Sequence, residues 1–135
     1  MTKTANKPAL KKGDVVYWVT VGDNEAGVAE YWVPQVRIES WGKRQGTAVY
    51  TNEERYALRR FYTDNAVMLR TKEEVEAYCA ERGIARSEQT KARLLVITQD
   101  WIEEYSSKAK PEIVAKAQRE LEAIKRPASF TIKYT

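Results

Sequence analysis

The chain contains no histidine and a single cysteine among its 135 residues. Those two counts rule out a serine–histidine–aspartate triad, a cysteine–histidine pair, an ordinary zinc site and any disulfide within the chain. Glycine is sparse, with six residues spread singly, and no Gly-x-x-x-x-Gly-Lys-Ser/Thr run exists to cradle a phosphate. No lysine has an aspartate or glutamate two residues before it, a spacing common in metal-dependent nucleases. No apolar run approaches the roughly 20 residues of a membrane span, and residues 1–10 lack the hydrophobic stretch of a secretory signal. These absences lead to an expectation of a non-enzymatic protein without cofactor or metal, without a membrane partner, and located in the cytoplasm, where lone Cys79 stays reduced.

What is present is the balance of a globular domain: 43% hydrophobic and 31% charged residues. The net charge is +4, a small excess of 23 basic over 19 acidic groups. Most of it falls in residues 1–70, which carry 11 basic and 8 acidic side chains. Residues 1–12 are polar and basic without a period and read as a flexible arm. Residues 13–135 read as a single compact domain, divided into a strand-rich half (13–70), a helical half (71–126) and a closing strand (128–134).

In the strand-rich half, Gly13-Asp14 is a turn signal before Val15–Val21, a run of β-branched and aromatic residues. Residues 22–27 form a loop by their turn chemistry. Val28–Trp41 is a second strand region, in which Pro34 marks an edge, bulge or break because it cannot donate to a ladder. Gly42–Gly46 turns into Thr47–Thr51. Arg55–Tyr62 fits a strand or a short basic helix, and strand is preferred because Phe61-Tyr62-Thr63 runs into Asp64-Asn65. Ala66–Leu69 is a short apolar run.

The helical half opens with Thr71-Lys72-Glu73-Glu74, a capping box. Val75, Tyr78 and Cys79 stripe a first helix, with Gly83 as its left-handed cap. Ser87 caps a second, striped by Leu94, Ile97, Trp101 and Tyr105. Pro111 begins a third, with Ile113, Ala117, Leu121 and Ile124 on one face, ended by Pro127. Phe130, Ile132 and Tyr134 then alternate as a last strand. The expected fold is α+β: a small N-terminal β-barrel or twisted antiparallel sheet, three helices and a closing C-terminal strand.

Gly13-Asp14-Val15-Val16-Tyr17 and Val67-Met68-Leu69-Arg70-Thr71-Lys72-Glu73-Glu74-Val75 resemble stretches of short phage and prophage proteins of unassigned role. The resemblance covers residues 13–83 and implies a small Src-homology-3-like barrel with an appended helix. It brings no functional residues with it. Arg70, inserted before Thr71, and the longer C-terminal half depart from the type.

Nine of the fourteen aromatic residues lie between Tyr17 and Tyr62, in adjacent pairs such as Tyr17-Trp18, Tyr31-Trp32 and Phe61-Tyr62. Neighbours on a strand point to opposite faces, so each pair places one ring outside a single core unless a helix covers it. Basic residues interleave with these rings. The candidate binding residues are Arg55, Arg59, Arg60, Arg37, Lys43, Arg44, Trp41 and Tyr62. Arginine beside aromatics suits an anionic protein surface as well as phosphates and stacked bases. The leading expectation is a binding module that engages a host protein as inhibitor or modulator. A nucleic-acid-binding module on the same face and a self-associating structural subunit are the alternatives. The Cys79–Ser87 spacing of a helix–turn–helix is a weaker signal, because Gln89 stands where that motif wants an apolar residue.

Overall fold

The computed structural model describes residues 10–53 and 55–135. Residues 1–9, most of the arm read from the sequence, lie outside the described residues. Seven strands and two helices follow in the order β1 (Val15–Asp23), β2 (Ala29–Val33), β3 (Gln35–Trp41), β4 (Gln45–Tyr50), β5 (Arg59–Tyr62), β6 (Val67–Leu69), α1 (Lys72–Tyr105), α2 (Pro111–Ile124) and β7 (Phe130–Tyr134). The fold is α+β with one mixed sheet ordered β5-β4-β3-β1-β2-β7, and β6 also pairs with β1.

The sheet is organised by one long hairpin, in which β1 lies between β3 and β2. β1 pairs antiparallel with β3 in the register Val15↔Arg37, Val16↔Val36, Tyr17↔Gln35. The register continues past Pro34, whose carbonyl accepts the Trp18 N–H at 3.0 Å, to the tip, where Asn24 N–H donates to the Val28 carbonyl at 3.0 Å. Pro34 therefore interrupts the strand without ending the hairpin, because its carbonyl still accepts although its nitrogen cannot donate. β4 extends the sheet beyond β3, and β7 extends it beyond β2. Ala29 N–H donates to Ser129 (3.1 Å) and Thr135 N–H to Val33 (3.3 Å), so β7 runs parallel to β2.

Two sequence expectations need correcting. The sheet does not close into a barrel: β5 and β7 end the sequence of paired strands. There are also two helices among the described residues where three were expected. α1 runs unbroken through Gly83 and Ser87, which therefore neither end nor start a helix. No proline interrupts Lys72–Tyr105, and the only glycines with positive φ are Gly13 and Gly27 among the described residues. The capping box is as read: Glu74 N–H donates to Thr71 Oγ1 (3.1 Å) and Thr71 N–H to Glu74 Oε1 (3.0 Å). Of Arg55–Tyr62, only Arg59–Tyr62 is strand; Arg55–Leu58 have no ladder partner and are exposed.

The chain divides into two compact units. The first comprises residues up to Thr20, Trp32–Val75 and Tyr134–Thr135; the second comprises Val21–Tyr31 and Glu76–Lys133. The core of the first unit gathers Leu10, Val16, Val36, Ile38, Ala48, Phe61 and Met68. Trp18 and Trp41 pack on it, with ring centroids 5.6 and 5.4 Å from that of Phe61.

The second unit is held largely by α1 side chains that reach the hairpin tip. Asn24 Oδ1 accepts the amides of Ala26 (2.9 Å) and Val28 (3.0 Å), and Gly27 adopts φ +79° to complete the turn. Ser87 Oγ donates to the Gly27 carbonyl at 2.5 Å and accepts the Ser129 amide at 3.2 Å. The Arg86 guanidinium forks onto Asp23 at 2.9 and 3.0 Å. Lys91 Nζ donates to the carbonyls of Ala26 (2.6 Å), Ile124 (3.3 Å) and Ala123 (3.5 Å). One buried ammonium thus holds the tip and also satisfies carbonyls at the C-terminal end of α2, which lack intrahelical donors. Burial, aided by the Arg126 cation, lowers the Lys91 pKa.

Candidate functional site

All eight candidate residues belong to the first unit, and their geometry sorts them. Three are engaged within the fold. Arg37 Nε pairs with Glu39 Oε2 at 2.8 Å, and the Tyr56 hydroxyl donates to Glu39 Oε1 at 3.0 Å. The bonds from Arg37 and Tyr56 hold the Glu39 carboxyl below its ordinary pKa, and the bond to Glu39 keeps the Arg37 cation above its own. Arg59 pairs with Glu53, and its guanidinium lies 4.0 Å above the Tyr50 ring. Trp41 packs against Phe61 rather than facing solvent freely.

Among the described residues the other five form no such ties. The register Thr47↔Arg60 and Gln45↔Tyr62 puts Arg60 and Tyr62 on one face of β5, alternating with the buried Phe61. Tyr62 is 63% exposed. Lys43 and Arg44 occupy the turn into β4, and this turn is tied to the end of β5: Thr63 N–H donates to the Arg44 carbonyl (3.0 Å) and Thr63 Oγ1 to the Lys43 carbonyl (2.9 Å). These bonds from Thr63 therefore bring Lys43, Arg44 and Tyr62 together. Arg55 is exposed in the segment between β4 and β5. Among the described residues none of Lys43, Arg44, Arg55 and Arg60 forms an ion pair. Arg60 and Tyr62 line a surface cleft of about 320 Å³ together with Trp18, Thr20, Asn65 and Val67.

No family model, characterised protein or solved structure matches the chain.

The aromatic pairs divide as strand alternation requires. Trp18 and Phe61 enter the first core, while Tyr31 meets Phe130 edge-on at 6.3 Å in the second unit. Tyr17 meets Tyr134 at 6.0 Å. Trp32, Tyr56 and Tyr62 remain exposed. Tyr56 was not among the eight candidate residues. Its phenol links an irregular segment to Glu39, seventeen positions earlier, and no local pattern announces such a bond.

Among the described residues no group of three or more His, Cys, Asp or Glu side chains is placed to hold a metal ion. Cys79 is fully buried, and burial pushes its thiol up to about 11, so it is protonated at neutral pH. No described helix is long and apolar enough to cross a membrane.

Proposed function

We propose that the chain is a non-enzymatic binding module that engages an anionic surface of a host protein, in the cytoplasm, through the exposed face of β5 and the turn before β4. Arg60, Arg44 and Lys43 supply the charge, Tyr62 the apolar contact, and Arg55 extends the surface. Occlusion of the partner's own site would make the chain an inhibitor or modulator. The observation that carries the reading is the segregation of charge: Arg37 and Arg59 are neutralised by neighbouring carboxylates, whereas Arg60, Lys43 and Arg44 near the exposed Tyr62, and Arg55 further along the chain, have no ion pair among the described residues. Arginine and tyrosine are the residue types that most often anchor interfaces.

The same exposed cations favour one second reading, nucleic-acid binding with Tyr62 as a stacking ring. The Arg60→Ala/Tyr62→Ala double variant tests both. Its thermal midpoint should stay close to wild type, because exposed charges contribute little to stability. In capture from nuclease-treated host lysate followed by titration of the captured protein, affinity should fall at least about tenfold, or about 1.4 kcal/mol. Binding to random duplex DNA that weakens steeply with salt, and that the double variant loses, would favour the nucleic-acid reading. Binding of either kind that the variant leaves intact would remove this surface from consideration.

A further inference from the structure

The second half of α1 and the whole of α2 form a helix hairpin within the second unit. A short connection, residues 106–110, joins them. Lys91 Nζ lies 3.3 Å from the Ile124 carbonyl, so the helices run antiparallel. Ile97 and Trp101, one turn apart on α1, meet Ile113 and Ala117, one turn apart on α2, along a groove of about 320 Å³. Its apolar walls are open: Ile97 is 63% and Ile113 47% exposed. A helix of a soluble protein normally buries such a stripe against a neighbour, and here each helix of the hairpin lacks one on this side among the described residues.

The charges along the groove indicate what covers it. Lys116 and Glu120 line it and stand one turn apart on α2. Their spacing would permit an ion pair within the helix, but lysine precedes glutamate, the less favourable order. Among the described residues neither forms an ion pair. A cation and an anion in line along an apolar groove match their own image under a two-fold axis. When two such helices lie antiparallel, each Lys116 faces Glu120 of the second copy, and small Ala117 between them allows close approach. We infer that this groove is a two-fold interface with a second copy of the chain, the two hairpins packing as four helices around Ile97 and Ile113. This surface is separate in sequence and composition from the basic face of β5, so either conclusion can fail alone.

Sedimentation velocity from low micromolar to millimolar protein tests the inference. Wild type should pass from one chain to two as concentration rises. Ile113→Asp and Ile97→Asp, on different helices and both exposed, should stay monomeric while retaining the wild-type circular dichroism spectrum. Lys116→Glu and Glu120→Lys should each weaken association about tenfold or more, because like charges then face each other twice. An equimolar mixture of those two single variants should associate as wild type does, since every facing pair is opposite in sign again. Wild type that remains monomeric throughout would overturn the inference. So would a dimer that these substitutions leave intact, or a mixture that fails to restore association.

Discussion

Cys79 and Lys91 lie on α1 twelve residues apart and are perturbed in opposite directions by the same cause. Burial favours the neutral form of each, raising the thiol to about 11 and lowering the ammonium. For the thiol the consequence is a loss of stability in alkali. The unfolded thiol ionises near 9.0, so between that value and about 11 the folded state holds a proton that the unfolded state has released. The stabilisation is complete below pH 9 and declines as pH rises through this window. Tyr31, also raised chiefly by burial, adds to the decline, and Lys91 opposes it. Denaturant titrations at a series of pH values should therefore show a steeper fall in unfolding free energy for wild type than for Cys79→Ala. Equal slopes would mean the thiol ionises freely in the fold. At this scale the sequence was readable where partners are local. Thr71 and Glu74 answer each other three residues apart. Ser87 looked like a helix cap because serine often is one, but its hydroxyl partner, Gly27, lies sixty residues away.

Among the elements, α1 shows how a tertiary contact overrides a local signal. Gly83 marks a helix end by propensity, yet it sits inside a 34-residue helix and is buried. A methyl group at this position would fall 2.6 Å from Cγ and 2.7 Å from Cβ of Phe130. The glycine is there to admit the Phe130 ring against the helix, not to terminate it. Gly83→Ala gains about 1 kcal/mol in helix propensity, but it forces the ring aside. The expected net result is a destabilisation of about 1–3 kcal/mol in denaturant unfolding. A stabilised variant would show that Phe130 yields freely. The expected three helices became two for the same reason: a glycine's purpose depends on what approaches it, and Phe130 is forty-seven residues further along the chain.

On the scale of the whole molecule, strand positions were largely legible and strand partners were not. The period-two patterns located β1, β3, β4 and β7, and Pro34 placed the division between β2 and β3. What periodicity does not contain is that the β2–β3 stretch takes β7 alongside one segment and β4 alongside the other, leaving the sheet open. The candidate surface was legible to a similar degree. Arginines interleaved with rings indicated the region, but Arg59 and Arg60, adjacent in sequence, have opposite fates because strand neighbours face opposite ways. Only the positions of Glu53 and Glu39 show which cations are already neutralised.

The bonds at the hairpin tip also bear on the order of folding. Ser87 and Lys91 reach Gly27 and Ala26 across separations of 60 and 65 residues. Closing a loop of that length costs chain entropy before any contact is gained, whereas the Asn24 turn and the turns of α1 form locally. Docking of the tip therefore belongs on the native side of the rate-limiting barrier. Lys91→Met removes the ammonium and leaves the Ala26 carbonyl without its donor, a loss of about 1–3 kcal/mol. In stopped-flow kinetics nearly all of it should appear as faster unfolding, with the refolding rate almost unchanged. A matching drop in the refolding rate would instead place Lys91 in the folding nucleus. If the kinetics follow the first pattern, the Lys91 contact with the tip governs how long the native state lasts rather than how quickly it is reached.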